Sequence, residues 1–150
     1  MNEQIYNFKV NLKFAKKDIY RTIELKGATS LYQFAKEIVR AFDFQFDHAF
    51  GFHDNISDMY ESNEEYTLFY DDGNPINPNE KSVKQSHIYK VFEPSKKMLF
   101  HFDYGDDWMF LVECLGVSNP EAGKDYPIVT KKKGKAPPQY PNYDHSDDDE

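Results

Sequence analysis

The chain has 150 residues, enough for one domain with a closed core, and its 13 Phe, 11 Tyr and single Trp bias that core towards sheet, since aromatic side chains favour strands and bury large areas. Formal net charge is -8, of which five acids lie in the last seven residues (Asp144, Asp147, Asp148, Asp149, Glu150), leaving -3 for the body; that excess argues against a surface for nucleic-acid phosphates, which needs concentrated Lys and Arg. No run of ~18 apolar residues offers a membrane span, Met1-Asn2-Glu3-Gln4 lacks a secretory pattern, and the lone Cys114 cannot form an internal disulfide, so a cytoplasmic protein is expected.

Tyr6, Phe8, Val10, Leu12 and Phe14 alternate with Asn7, Lys9, Asn11 and Lys13, the period-two signature of a strand with one wet face. Ala15-Lys16-Lys17-Asp18 reads as a turn into a second strand marked by Ile19, Ile23 and Leu25, and a hairpin is the simplest connection. Arg21 falls on the apolar side of that strand, where a guanidinium requires a partner. Thr29-Ser30 supplies an N-cap, and Leu31, Phe34, Ala35, Ile38, Val39 and Phe42 follow at helical spacing. They predict an amphipathic helix packed on the hairpin and ending near Phe42-Asp43.

His48 to His53 reads as a third strand, Asp54 to Glu65 as a polar surface excursion, and Tyr66 to Tyr70 as a short strand closed by Asp71-Asp72-Gly73. Asn74 to Asn79 is a loop, and Ser86 is placed to cap a short helix through Ile88, Val91 and Phe92 that stops before Pro94. Met98 to Cys114 forms a hairpin turning at Tyr104-Gly105-Asp106-Asp107. Beyond Gly116 the pattern fades, apart from Tyr126-Pro127-Ile128-Val129, and Lys131-Lys132-Lys133-Gly134-Lys135 reads as a solvated basic loop. One domain over 1–143 and a disordered acidic tail over 144–150 are expected. The fold class is α+β, a mostly antiparallel sheet with one long amphipathic helix.

Several pieces, in order along the chain, carry a resemblance: Ile19-Tyr20-Arg21-Thr22-Ile23, Ala41-Phe42-Asp43-Phe44, His48-Ala49-Phe50-Gly51-Phe52, Phe102-Asp103-Tyr104-Gly105-Asp106-Asp107-Trp108 with Glu113, and Gly134-Lys135-Ala136-Pro137-Pro138-Gln139-Tyr140. Together they resemble the plasmid pRi ORF-three-like family, whose fold is a single-domain α-β roll and whose members are known from plasmids and mobile elements. The Asp-aromatic-Gly-Asp-x-Trp segment is the specific part. The family usually has Trp at the position of Tyr20, His at that of Phe110, and Pro-Pro-Glu-Asp-x-Gly-Gly where this chain has Pro137-Pro138-Gln139-Tyr140-Pro141. The resemblance implies a fold far more than a reaction.

Two constellations suggest chemistry. Asp103, Asp106 and Asp107 surround a tight turn; they suit a hard cation such as Mg²⁺ or Ca²⁺, although the spacing of a dedicated calcium loop is missing. Plainer roles are capping the turn or pairing with Arg21, for which a bidentate bond to Asp103 or Asp106 is expected. His101 and Asp103 share a strand face as a possible ligand pair, and His48 and His53, five apart, fall on opposite faces of theirs. HExxH, CxxC and Gly-x-Ser-x-Gly patterns are all missing, and Cys114 in an apolar strand reads as a small hydrophobe.

The expected function is a non-enzymatic binding or accessory module whose rim (Arg21, His48, Asp103, Asp106, Asp107, Trp108) recognises an unknown protein or small ligand. The rival is a metal-dependent enzyme using His101, Asp103 and Asp106, with a divalent metal as its only implied cofactor. A weaker third is nucleic-acid contact through Lys131 to Lys135.

Overall fold

The computed structural model describes residues 3–140; the acidic residues 144–150 lie outside them. The elements are β1 (Ile5–Leu12), β2 (Tyr20–Lys26), α1 (Leu31–Ala41), β3 (Phe50–His53), a 3-10 turn (Met59–Glu61), β4 (Glu65–Thr67), α2 (Leu68–Asp71), β5 (Glu80–Ser82), α3 (Ile88–Val91), β6 (Lys97–Phe102), β7 (Trp108–Ser118) and β8 (Ile128–Lys133). The strands form one mixed sheet in the order β5-β4-β3-β6-β7-β1-β2-β8. Only β4 and β5 run parallel; every other neighbouring pair is antiparallel. The fold is therefore a sheet-dominated α+β arrangement.

Alternation divides the sheet into two faces. Tyr6, Phe8, Val10 and Leu12 of β1, Phe50 and Phe52 of β3, Phe100 and Phe102 of β6, and Phe110 of β7 join Phe34, Ile38 and Phe42 in one core. Helix α1 covers that face. It begins where Ser30 Oγ accepts the amide N–H of Gln33 at 3.1 Å, and it stops at Phe42, after which Asp43 takes a left-handed φ of 62°. The expected long helix is only eleven residues, three turns, and the other two helices are four residues each. No helix among the described residues is long and apolar enough to cross a membrane.

Elsewhere polar contacts override the expected boundaries. Tyr66 to Tyr70 is not one strand: the chain turns into α2 after Thr67, whose Oγ1 accepts from the Tyr70 amide at 3.2 Å. The expected loop over Asn74–Asn79 leads directly into β5, which pairs parallel to β4. Helix α3 is capped at His87 rather than Ser86, without a side-chain bond. Phe14 leaves the first strand with φ 66° and is 83% exposed. The basic cluster is also corrected. Lys131, Lys132 and Lys133 belong to edge strand β8, paired to β2 at Thr22, Arg21 and Tyr20. With no buried residue, β8 carries no apolar alternation to read, and its lysines suit an open edge, where charge discourages further pairing.

Candidate functional site

Arg21 is the first predicted residue that the structure relocates. Its side chain is 3% exposed, and every hydrogen bond goes to a backbone carbonyl. Nε donates to Ala41 O at 2.9 Å, and one terminal nitrogen donates to Tyr20 O at 2.9 Å, Lys133 O at 3.1 Å and Gly134 O at 3.0 Å. The guanidinium lies 4.8 Å over the Phe42 ring. The expected pair with Asp103 or Asp106 is therefore not formed. Carbonyl dipoles, one of them at the negative end of α1, take the place of the carboxylate, and burial lowers the Arg21 pKa while Asp43 opposes that shift. One side chain thus ties β2 to the end of α1 and to the segment after β8. Gly134 makes this approach possible: it has φ +79°, and a Cβ there would meet Ile19 Cγ1 at 2.9 Å.

Asp103 sits at the turn between β6 and β7 with φ 67°. Its Oδ1 accepts from the amides of Gly105 at 3.0 Å and Asp106 at 3.1 Å, the capping role. Its Oδ2 lies 3.4 Å from His48 Nε2, so two predicted residues do meet. Tyr140 joins them, bonded to His48 Nε2 and donating its hydroxyl to Asp47 at 2.9 Å. Burial, then Asp47, pushes the Tyr140 hydroxyl up to about 12. Gln139 clamps the segment by accepting from the Gln45 amide at 2.7 Å and donating to the Gln45 carbonyl at 3.2 Å. Replacing Asp103 with alanine strands two turn amides and puts a less tolerant residue at positive φ. A loss of about 2 kcal/mol is expected in urea unfolding, and asparagine, which keeps an acceptor, should recover more than half of it.

His101, Asp103 and Asp106 do not converge. His101 is fully buried and donates Nε2–H to Asp107 Oδ1 at 2.7 Å; its Nδ1 is buried without a partner. Asp103 is committed to the turn, and Asp106 is exposed. Among the described residues no group of three His, Cys, Asp or Glu side chains could hold a metal ion, so the expected ligand set is corrected.

A buried polar network, unread in the sequence, occupies the face opposite α1. His53 Nδ1 bonds Glu65 Oε1 at 2.8 Å. Glu80 accepts from Thr67 Oγ1 at 2.5 Å and from the amides of Ile76 and Asn77 at 2.6 Å each. Tyr104 packs against His101, ring centroids 4.0 Å apart, and Phe69, 4.8 Å apart; its hydroxyl lies 3.5 Å from His53 Nε2. Gly51 leaves room, since a Cβ would sit 2.9 Å from both His53 Nε2 and the Tyr104 hydroxyl. Beside them is a cavity of about 40 Å³, which suits ordered water rather than a substrate. His53 and Glu65 are twelve residues apart on different strands, a spacing with no sequence signature.

Burial lowers the pKa of both His53 and His101, against the pull of Glu65 and Asp107 respectively. As pH falls below the ordinary histidine value of 6.5, the unfolded chain takes up protons that the folded chain refuses, so stability drops with acidification. The melting temperature should fall steadily from about pH 7 to about pH 5. Substituting His53 with glutamine, which still offers Glu65 a donor, should make that fall shallower. A melting temperature that rises on acidification would contradict neutral imidazoles.

The remaining predicted residues, Asp106, Asp107 and Trp108, line an open cleft of about 520 Å³, within the size range of ligand pockets. Leu12, Ile19, Trp108, Met109 and Pro137 supply apolar walls, and Lys13, Lys16, Lys17 and Lys135 supply positive charge. The chain's single Trp packs on Phe44, ring centroids 4.8 Å apart, and its Nε1 is buried without a hydrogen-bond partner. Exposed Phe14 stands between this cleft and a second groove of about 250 Å³ that shares Lys13, Phe14 and Met109 and adds Ile56, Asp58 and Tyr60. The lysines of the β1–β2 connection read in the sequence only as a turn; their shared place at a cleft depends on the hairpin lying beside the β6–β7 turn.

The fold is shared with a solved structure, the protein of unknown function MM3350 from Methanosarcina mazei Go1. It has a TM-score of 0.77 and 24% identity over 93% of this chain and 75% of that one. No curated protein matches the chain. The family model described as plasmid pRiA4b ORF-3-like protein matches residues 4–140. That span includes the Arg21 clasp, the Asp103 turn, Trp108 and the Gly134–Gln139 segment, and the chain belongs to the plasmid pRiA4b ORF-3-like family.

Proposed function

We propose that the chain is a non-enzymatic binding module that takes a protein segment or small ligand into the cleft beside Trp108. It would act in the cytoplasm and, given the family's plasmid origin, alongside mobile elements. The observation that carries the reading is the cleft itself: about 520 Å³, open, apolar at its walls and lysine-rich at its rim. By contrast, His53, Glu65 and Tyr104 enclose a water-sized space. Binding pockets join apolar surface to a few placed polar groups in this manner, and the turn and clasp hold the walls in position.

Trp108 reports directly on the proposal. Titrating a panel of small anions and peptides should produce a saturable change in intrinsic fluorescence for at least one class, weakened when Lys135 is replaced by glutamate. If no class alters Trp108, or if affinity ignores every substitution at the cleft, the cleft is not the binding site.

A further inference from the structure

The cleft and its neighbouring groove form one trough with two chemically different ends, and we infer that its occupant is an extended peptide segment of a partner protein, acidic at one end and apolar at the other. This rests on the cleft being the binding site. At the basic end, Lys16, Lys17 and Lys135 are exposed, and among the described residues none of the three is paired with a carboxylate. With Lys13 they outnumber Asp106 and Asp107 in the same cleft, a local positive excess in a chain of net charge -8, so the complementary ligand charge is negative. Past Phe14, the second groove is apolar at Met109, Ile56 and Tyr60 and carries Asp58.

Phe14 marks the junction. A bulky residue with φ 66° and 83% of its surface in water loses on backbone strain and on burial alike. The burial loss is recovered when a ligand covers the ring. Tyr60, 79% exposed at the far groove, is a second uncovered ring.

Shape and charge choose between anions. Two grooves joined along Lys13, Phe14 and Met109 suit an extended chain better than a compact molecule. A nucleic acid carries a phosphate at every step and would bring several against Asp58, Asp106 and Asp107. A peptide can confine its carboxylates to the lysine end and lay apolar side chains against Phe14 and Met109.

The test uses the full chain and an array of short synthetic peptides varied in charge and apolar content, followed by Trp108 fluorescence titration of the best binder. Peptides with acidic residues on one side of an apolar pair should be selected. Lys16→Glu with Lys17→Glu should weaken binding about tenfold or more, and Phe14→Ala should weaken it by a similar factor; both exposed sites leave the fold intact by circular dichroism. Selection without preference for acidic peptides, or tighter binding of a single-stranded oligonucleotide, overturns the peptide assignment. Saturable Trp108 changes with a small anion alone also overturn it while sparing the cleft, whereas silence from every probe removes the cleft reading itself. A truncation after Tyr143 that shifts Trp108 fluorescence without any peptide would make the chain's own acidic residues the occupant and overturn the partner.

Discussion

Replacing Phe34 with alanine is expected to cost about 3–5 kcal/mol in equilibrium unfolding, the usual range for emptying a closed aromatic site. Phe34 is fully buried and is the contact through which α1 grips the sheet. Its ring centroid lies 4.5 Å from that of Phe8 on β1, 5.7 Å from Phe52 on β3 and 6.0 Å from Phe92 just after α3. Three separate segments would face the void, and strands held by hydrogen-bonded registers cannot collapse into it. Leucine should recover part of the loss by filling some of the volume. A cost below about 1 kcal/mol would mean that α1 does not cover this sheet.

The second large effect is at Arg21. Lysine keeps the charge but cannot direct four N–H···O=C contacts onto Ala41, Tyr20, Lys133 and Gly134 from one planar group. Arg21→Lys should therefore cost about 2–4 kcal/mol, since a single ammonium leaves some of these carbonyls unpaired. The loss should loosen the pairing of β8 and the Gly134–Tyr140 segment first, seen as faster amide exchange there than in β6 and β7. A double-mutant cycle between Arg21 and Asp103 should show almost no coupling, because Asp103 spends its oxygens on the turn amides and on His48.

The two outcomes at Arg21 show what a sequence carries and what it omits. Alternation correctly turned the guanidinium towards the apolar side and raised the need for a partner. The partners are backbone carbonyls, which have no letter in the sequence, so the nearby acidic turn stood in for them. The core strands and α1 were legible because each buries one apolar face at a regular period. Strands β4 and β5 are obscured because their buried residues include Glu65, Thr67, Glu80 and Ser82, whose partners are His53, each other, Asp71 and loop amides. Strand β8 was hidden because it buries nothing. At the site, the acidic turn and Trp108 stood out, and Asp106, Asp107 and Trp108 do line the cleft. The lysines of the β1–β2 connection lie far in sequence from Trp108, and His53 and Glu65 sit on different strands twelve residues apart, so only the fold brings them to their places.

Recognition is placed by the proposal at the Trp108 cleft and not at the buried His53 network on the β3–β5 side of the sheet. Chemical-shift mapping of the isotope-labelled chain during titration with the best-binding peptide tests it most directly. Perturbations should concentrate on residues 12–19, 106–109 and 135–137, with the Trp108 indole N–H moving strongly as its unpartnered Nε1 responds to a ligand. Shifts centred instead on His53, Glu65, Glu80 and Tyr104, with the indole unmoved, would contradict it.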